Sequence, residues 1–245
     1  MNYRSPFSTV PVVVKNLIIV NVLMMLGTFV LERMGVNLYT HLGLHFPLSE
    51  KFRLHQIFTH MFMHGGLTHI FFNMFALYMF GRVLESVWGP KRFLTFYLVT
   101  GIGAAALHTA VNFFQYYQVA SQLTPEQIEH VKEVGYGIWA EGKNFSDPLL
   151  SKLNLALNTP TVGASGAVFG ILLGFGMLFP NTQLMLLFPP IPIKAKYFVI
   201  GYGVLELYLG FSQSGSNIAH FAHLGGMLFG YFMIKYWNKN SKRFY

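Results

Sequence analysis

The sequence predicts an all-α polytopic membrane protein: a bundle of six transmembrane helices whose fourth member is short. Three observations carry this expectation. Of the 245 residues, 53% are hydrophobic and only 11% are charged, against about 25% charged in a soluble domain. Apolar stretches recur along the whole chain with short connections, leaving no room for a separate soluble domain. The basic residues concentrate on alternate connections, as the orientation of a multi-span protein demands.

In chain order, span one is expected over 15–33. It lacks a small-residue cleavage site and reads as a retained helix rather than a signal peptide. The connection 40–63 mixes His, Phe and Leu with few charges and reads as a loop lying in the membrane interface. Span two covers 67–85 and span three 92–114. The longest connection, 115–160, is expected to form an outer cap of one or two amphipathic helices. Thr124-Pro125-Glu126-Gln127 supplies a cap, Pro at the first helical position and an acid in the first turn. Ser146-Asp147-Pro148 opens a second element. Span four, 165–180, is the odd one. The 15 residues from Ser165 to Phe179 rise about 22 Å as a helix, short of roughly 30 Å of hydrocarbon. Irregular backbone at that depth is tolerated only beside protein or water, so this helix is expected to start at a water-filled cavity. "PPIPIK" before span five reads as a turn with extended backbone. Spans five (197–211) and six (219–237) complete a single membrane domain over 1–245.

With the N-terminus inside, Arg4, Lys15, Arg82, Lys91, Arg92, Lys194, Lys196, Lys235, Lys239, Lys242 and Arg243 lie inside. Only Arg33, Lys51, Arg53, Lys132, Lys143 and Lys152 lie outside, with seven of the nine acids. Both termini are therefore expected in the cytoplasm. The net charge of +8 reads as topology and contact with anionic lipid, not as a nucleic-acid footprint. The chain has no cysteine, which excludes thiol and disulfide chemistry.

Polar groups inside spans are candidates for function. Here they are Ser165, His69, Asn73, His108, Glu206, His220 and His223. His69 and Asn73, four apart, share one helix face. His223, Gly226 and Gly230 share another, and Gly166 and Gly170 repeat the small-residue spacing in span four. Two such faces allow close approach, which would bring His223 towards Ser165. A serine becomes a nucleophile when a histidine takes its proton. The oxyanion then formed needs donors, which Asn73, His69 and the Ser165 N–H can supply. The plain alternatives are packing serine, interhelical hydrogen bond and glycine packing. His41, His45, His55, His60 and His64 near the outer interface read as interface residues rather than a metal site, and no HExxH occurs. Glu85, beside Arg82 and Lys91, reads as an interfacial salt-bridge group. Asp147 is the only aspartate, so a paired-aspartate protease is excluded and a Ser-His-Asp triad is not expected. A Ser–His dyad remains, with no metal and no cofactor.

Together these residues resemble the rhomboid family of intramembrane serine proteases, over roughly Asn16–Trp237. "GASG" carries the family's GxSG, "HIFFN" its HxxxN and "AHLGG" its AHxxG. The resemblance assigns the nucleophile to Ser165 and the base to His223 rather than His220. It places Asn73 and His69 on the oxyanion side, with Gly163, Gly166, Phe169 and Gly226 packing the site. The first loop has His55-Gln56 where many bacterial relatives carry Trp-Arg, and Phe169 stands where Tyr is frequent. The resemblance implies a six-span rhomboid-like bundle in the bacterial inner membrane. It also implies transmembrane protein substrates, small residues at the cleavage point and hydrolysis through an acyl-enzyme. A rhomboid-like binder without activity, or a transporter using intramembrane His and Glu206, are the rival readings. The oligomeric state is left open.

Overall fold

Hydrocarbon offers backbone groups no water, so each apolar stretch must close its hydrogen bonds within itself. The structure, a computed structural model, is accordingly a bundle of helices. It describes residues 10–185, 190–212 and 219–240. Arg4, Lys242 and Arg243 of the charge pattern lie outside them.

Helix α1 (Val12–Arg33) faces the bundle with Val14, Leu17, Asn21, Met25 and Thr28, in steps of three and four residues. Leu23, Leu26 and Val30 point outwards. Its first turn is held by Glu85, whose Oε1 accepts from Val13 N at 2.9 Å and Oε2 from Val14 N at 2.8 Å. A carboxylate there satisfies two orphan donors and meets the positive end of the helix dipole. The expected interfacial salt bridge is thus replaced by a buried cap on another helix, while Arg82 donates to Tyr78 Oη.

After α2 (Leu38–Leu42) the first loop wraps around one side chain. Gln56 opens α3 (Gln56–Thr59) and is fully buried. Its Nε2 donates to Lys51 O at 2.9 Å, and its Oε1 accepts from Arg53 N at 3.0 Å and His45 N at 3.3 Å. One amide therefore satisfies backbone that would otherwise lie buried and unpaired. A 3₁₀ turn, His60–Phe62, leads out of the loop.

Helix α4 (Leu67–Ala76), a π-helical turn (Leu77–Gly81) and α5 (Arg82–Trp88) run on as one apolar rod of 22 residues. Gly89, at φ 76°, and Pro90 turn the chain into α6 (Pro90–Ala120). This helix outruns the expected third span because its end carries the cap. The cap is two amphipathic helices, α7 (Pro125–Ala140) and α8 (Pro148–Asn158). Thr124 and Gln127 form a reciprocal capping box. Asp147 Oδ1 accepts from Leu149 N and Leu150 N at the start of α8. Tyr116, Val131, Leu153 and Leu157 form a core with Phe46 of the first loop, so loop and cap are joined.

Helix α9 (Ser165–Leu178) has 14 residues and is buried on every side, as expected of a helix apolar all round. Its packing with α6 and with α11 (His220–Asn240), and that of α6 with α11, are the most extensive in the molecule. Between them, β1 (Gln183–Met185) and β2 (Pro192–Lys194) pair antiparallel and lead into α10 (Ala195–Ser212). Of the expected turn and extended backbone, Pro192–Lys194 forms β2, and Pro189 lies outside the described residues. Among the described residues, Val12–Arg33, Leu67–Trp88 and Pro90–Ala120 are long and apolar enough to cross a membrane, and Ser165–Leu178 is apolar but shorter.

Candidate active site

The backbone before α9 is extended and held from the first loop. Leu44 and Thr161 exchange backbone hydrogen bonds at 2.9 and 2.8 Å, and Gly163 N donates to His60 O at 2.9 Å. Gly163 has φ 129°, and a Cβ there would stand 2.9 Å from His69 Cε1 and Nε2. Only glycine takes this conformation cheaply, and only glycine leaves His69 its place beside the chain. Ser165 follows as the first helical residue, half-buried, with no side chain capping the helix. Its backbone N–H is among those without an intrahelical acceptor.

The small-residue faces meet as their spacing suggests. A Cβ on Gly226 would fall on the carbonyl of Gly166, and one on Gly230 would lie 3.5 Å from Gly170 Cα. Close approach of α9 and α11 brings His223 Nε2 to 2.9 Å from Ser165 Oγ. The Phe169 ring stacks flat on the His223 imidazole, centroids 4.1 Å apart and planes within 4°. Tyr202 of α10 leans on the other ring of that pair, 5.0 Å from Phe169. Aromatic packing therefore restricts rotation of His223.

The oxyanion candidates sit differently from one another. His69 lies against Gly163, and its Nδ1 accepts from Gly65 N at 3.3 Å. Asn73 is buried, but its Nδ2 donates to His69 O, one turn back along its own helix, at 3.0 Å. The loop histidines are dispersed. His60 Nδ1 bonds to Gln56 O and His55 Nε2 to His41 O, each at 2.8 Å. Burial holds His45, His60 and His64 neutral, lowering each to about 4. A small polar cavity beside Thr161 is lined by His45, His108, Asn112 and Thr159.

One residue stands where no acid was expected. Glu206 of α10 is buried, with Oε2 2.7 Å from His220 Nδ1 and 2.9 Å from His223 Nδ1. The expectation that His223 has no carboxylate behind it does not hold. Composition marked Glu206 as an ionisable residue in a span; nothing in the sequence paired α10 with α11.

The sequence model of the Rhomboid domain matches residues 51–239. The chain is 31% identical over 176 residues to RHOMBOID-like protein 12, mitochondrial, of Arabidopsis thaliana, covering 71% of this chain and 44% of that protein. It is 26% identical to Rhomboid protein 1, mitochondrial, of Saccharomyces cerevisiae, over 74% of this chain and 42% of the relative. It is 28% identical to Rhomboid protease AarA of Providencia stuartii, over 69% and 51% respectively. The chain thus spans about half, or less, of the length of these relatives. By its matched domain and its helical, apolar architecture, the chain is a membrane protein that belongs to the rhomboid family.

Proposed function

We propose that this chain is an intramembrane serine endopeptidase that cleaves transmembrane segments of other proteins through Ser165 and His223. The observation that carries this reading is the 2.9 Å contact between Ser165 Oγ and His223 Nε2, within the range in which a base takes a serine proton. His223 Nε2 removes that proton as Oγ attacks a peptide carbonyl in an unwound stretch of the substrate. The oxyanion forms at the N-terminus of α9, where the Ser165 N–H and the helix dipole face it. His69 stands beside it, and Asn73, one of whose Nδ2 hydrogens goes to His69 O, has a second N–H to offer. The imidazolium returns its proton to the leaving amine. Water then attacks the acyl-enzyme, again with His223 as base. Phe169, Gly163, Gly166 and Gly226 hold the two reacting groups together by packing.

The membrane setting belongs to the same reading. Six helices (α1, α4 with α5, α6, α9, α10 and α11) cross the bilayer as one domain. Both termini lie on the cytoplasmic side, which the charge count supports, and the membrane is taken as a bacterial inner membrane. At 14 residues, α9 spans about 21 Å, so Ser165 lies below the outer surface in a water-filled recess. Labelling with a serine-directed fluorophosphonate tests the reading. Wild type is expected to label on Ser165 and to cleave a single-pass model substrate in proteoliposomes; Ser165→Ala and His223→Ala are each expected to lose both properties. Undiminished turnover in purified Ser165→Ala would falsify the mechanism, and an unlabelled, inactive wild type would point to a binder.

A further inference from the structure

We propose that Glu206 is the positioning carboxylate of His223, and that His220 holds that carboxylate in place. The inference rests on the reading of Ser165 and His223 given above, and extends the pair to a chain of four: Ser165, His223, Glu206, His220.

The starting point is an ionisable group where one is costly. Glu206 is 4% exposed, on a helix whose neighbouring residues Val204, Leu205, Leu207 and Tyr208 all face outwards. Acids at such depth persist when partnered and mark function. Among the described residues, its ion-pair partners are two histidines, both from α11 and both offering Nδ1 to one oxygen, Oε2. No lysine or arginine among the described residues shares it, so there the two imidazoles are what answers its charge.

The two imidazoles have different work. His220 Nδ1 makes a hydrogen bond to Oε2 at 2.7 Å, while its Nε2 is buried without a partner. A neutral ring has one N–H, and placing it on Nδ1 is the only assignment that gives that proton an acceptor. His220 is thus a donor with no route to Ser165, a tether for the carboxylate. His223 has its Nε2 on Ser165 Oγ and its Nδ1 2.9 Å from Oε2. To accept the serine proton, Nε2 must be bare, and the ring proton must sit on Nδ1. A carboxylate facing Nδ1 selects that tautomer and steadies the imidazolium that follows. The contact is close but oblique, so Nδ1 makes no straight hydrogen bond in the resting molecule. Catalytic hydrogen bonds commonly tighten only when substrate is bound.

The proton inventory closes without Glu206 changing state. Ser165 Oγ–H breaks as Nε2–H forms, and the new O–C bond takes the oxygen electron pair. Nδ1–H stays on His223 throughout and points at the carboxylate. When the peptide C–N bond breaks, Nε2–H goes to the amine. Glu206 carries no proton at any step.

The same three side chains offer ligand atoms within 4.8 Å of one another, the one such group among the described residues. At 2.7 and 2.9 Å, the nitrogens are already in contact with the oxygen, a spacing that suits a proton between them. The experiment keeps an ion as an opposing outcome.

Kinetics of purified wild type, Glu206→Gln, Glu206→Asp and His220→Ala would be measured in proteoliposomes on one transmembrane substrate, with melting temperatures alongside. Glu206→Gln is expected to lower kcat by about 10²-fold or more, as loss of an orienting acid does elsewhere, with KM within threefold. The pH profile of kcat/KM is recorded for each variant and is expected to differ between wild type and Glu206→Gln. Among the described residues, His69 from α4 and His108 from α6 are also electrostatically coupled to His223, and both are left intact. Glu206→Asp is expected to recover part of kcat and to keep the wild-type profile. His220→Ala should lose less than Glu206→Gln, because the carboxylate stays. Chelation with 1,10-phenanthroline should leave wild type unchanged.

An active wild type with an equally active Glu206→Gln and an unmoved pH profile overturns the inference while leaving the Ser165 mechanism standing. A wild type that neither labels nor cleaves overturns the mechanism itself. Loss on chelation, restored by zinc, assigns the cluster to an ion and also overturns the inference. Should Glu206→Gln fail to fold, ¹⁵N NMR of wild-type His223 decides: an Nδ1–H tautomer supports the assignment, and an Nε2–H tautomer refutes it.

Discussion

At the scale of single residues, the site is a set of hydrogen bonds whose owners are not interchangeable. Asn73 gives one Nδ2 hydrogen to the His69 carbonyl and keeps the other for an oxyanion, and His69 and the Ser165 N–H remain when it is lost. Removal of a sole oxyanion donor costs about 10²–10³ in kcat. Asn73→Ala should fall at or below the lower end of that range and well short of Ser165→Ala. Single-turnover cleavage would check this; a loss matching Ser165→Ala would mean that Asn73 holds the fold instead. Asp147 illustrates the opposite case. It is the only aspartate, and its carboxylate is engaged as a helix cap, accepting two backbone N–H groups of α8. Asn is as good an N-cap, whereas Ala loses about 1 kcal/mol. Asp147→Asn should therefore match wild type in rate and melting temperature, and Asp147→Ala should melt lower with kcat unchanged. A collapse in rate at normal melting temperature would give Asp147 a catalytic part.

At the scale of elements, two junctions carry the arrangement. The first is the α9–α11 seam, where Gly226 admits the Gly166 carbonyl. Gly226→Val should drive the backbones apart and break the Ser165–His223 contact, since a shift near 1 Å can cost about 10²-fold in rate. Gly230 differs: its added Cβ would come nearest a side chain, Phe96 Cζ at 3.2 Å, and stand 3.5 Å from the Gly170 backbone. Gly230→Val should lower the melting temperature with a smaller loss of rate. If Gly226→Val melts and cleaves like wild type, the seam is not what aligns the pair. The second junction is Glu85 at the head of α1. Glu85→Ala leaves two N–H groups unanswered, and the buried one, of Val14, costs about 1–3 kcal/mol. It should destabilise the bundle without altering kcat per folded molecule, which thermal unfolding in detergent and active-site titration would separate.

At the scale of the molecule, the first loop is the part most exposed to acid. His45, His60 and His64 are held to about 4 by burial, against about 6.5 in an unfolded chain. Between those values the unfolded state binds more protons, so stability rises with pH. Their contribution is complete above pH 6.5 and is lost progressively as pH falls towards 4. The loop, which braces Gly163 through His60 O, should loosen first. Amide exchange of peptides covering 41–64, corrected for intrinsic rates, should quicken between pH 7 and 5 more than that of α6. Equal protection at both values would remove the loop from this account.

How far each scale could be read in advance follows from how local its causes are. The apolar stretches, the cap signals at Thr124 and Asp147, the Pro-rich extended segment and the glycine spacing are properties of neighbours along the chain. Backbone satisfaction and side-chain periodicity act over a few residues, so helix positions and the small faces of α9 and α11 were legible. So was the route by which those faces bring Ser165 to His223. The roles of Glu85, Gln56 and Glu206 were not. Each bonds to groups distant in the sequence or scattered over a folded loop, and the same letter, Glu, reads as a salt bridge, a cap or a carboxylate behind an imidazole. Which of these it becomes depends on the helix packed against it. In a bilayer that packing is decided by close approach and hydrogen bonding between spans, because lipid is as apolar as the helices themselves. Composition marked Glu206 as an ionisable residue in an apolar stretch; only the docking of α10 against α11 placed it behind His223.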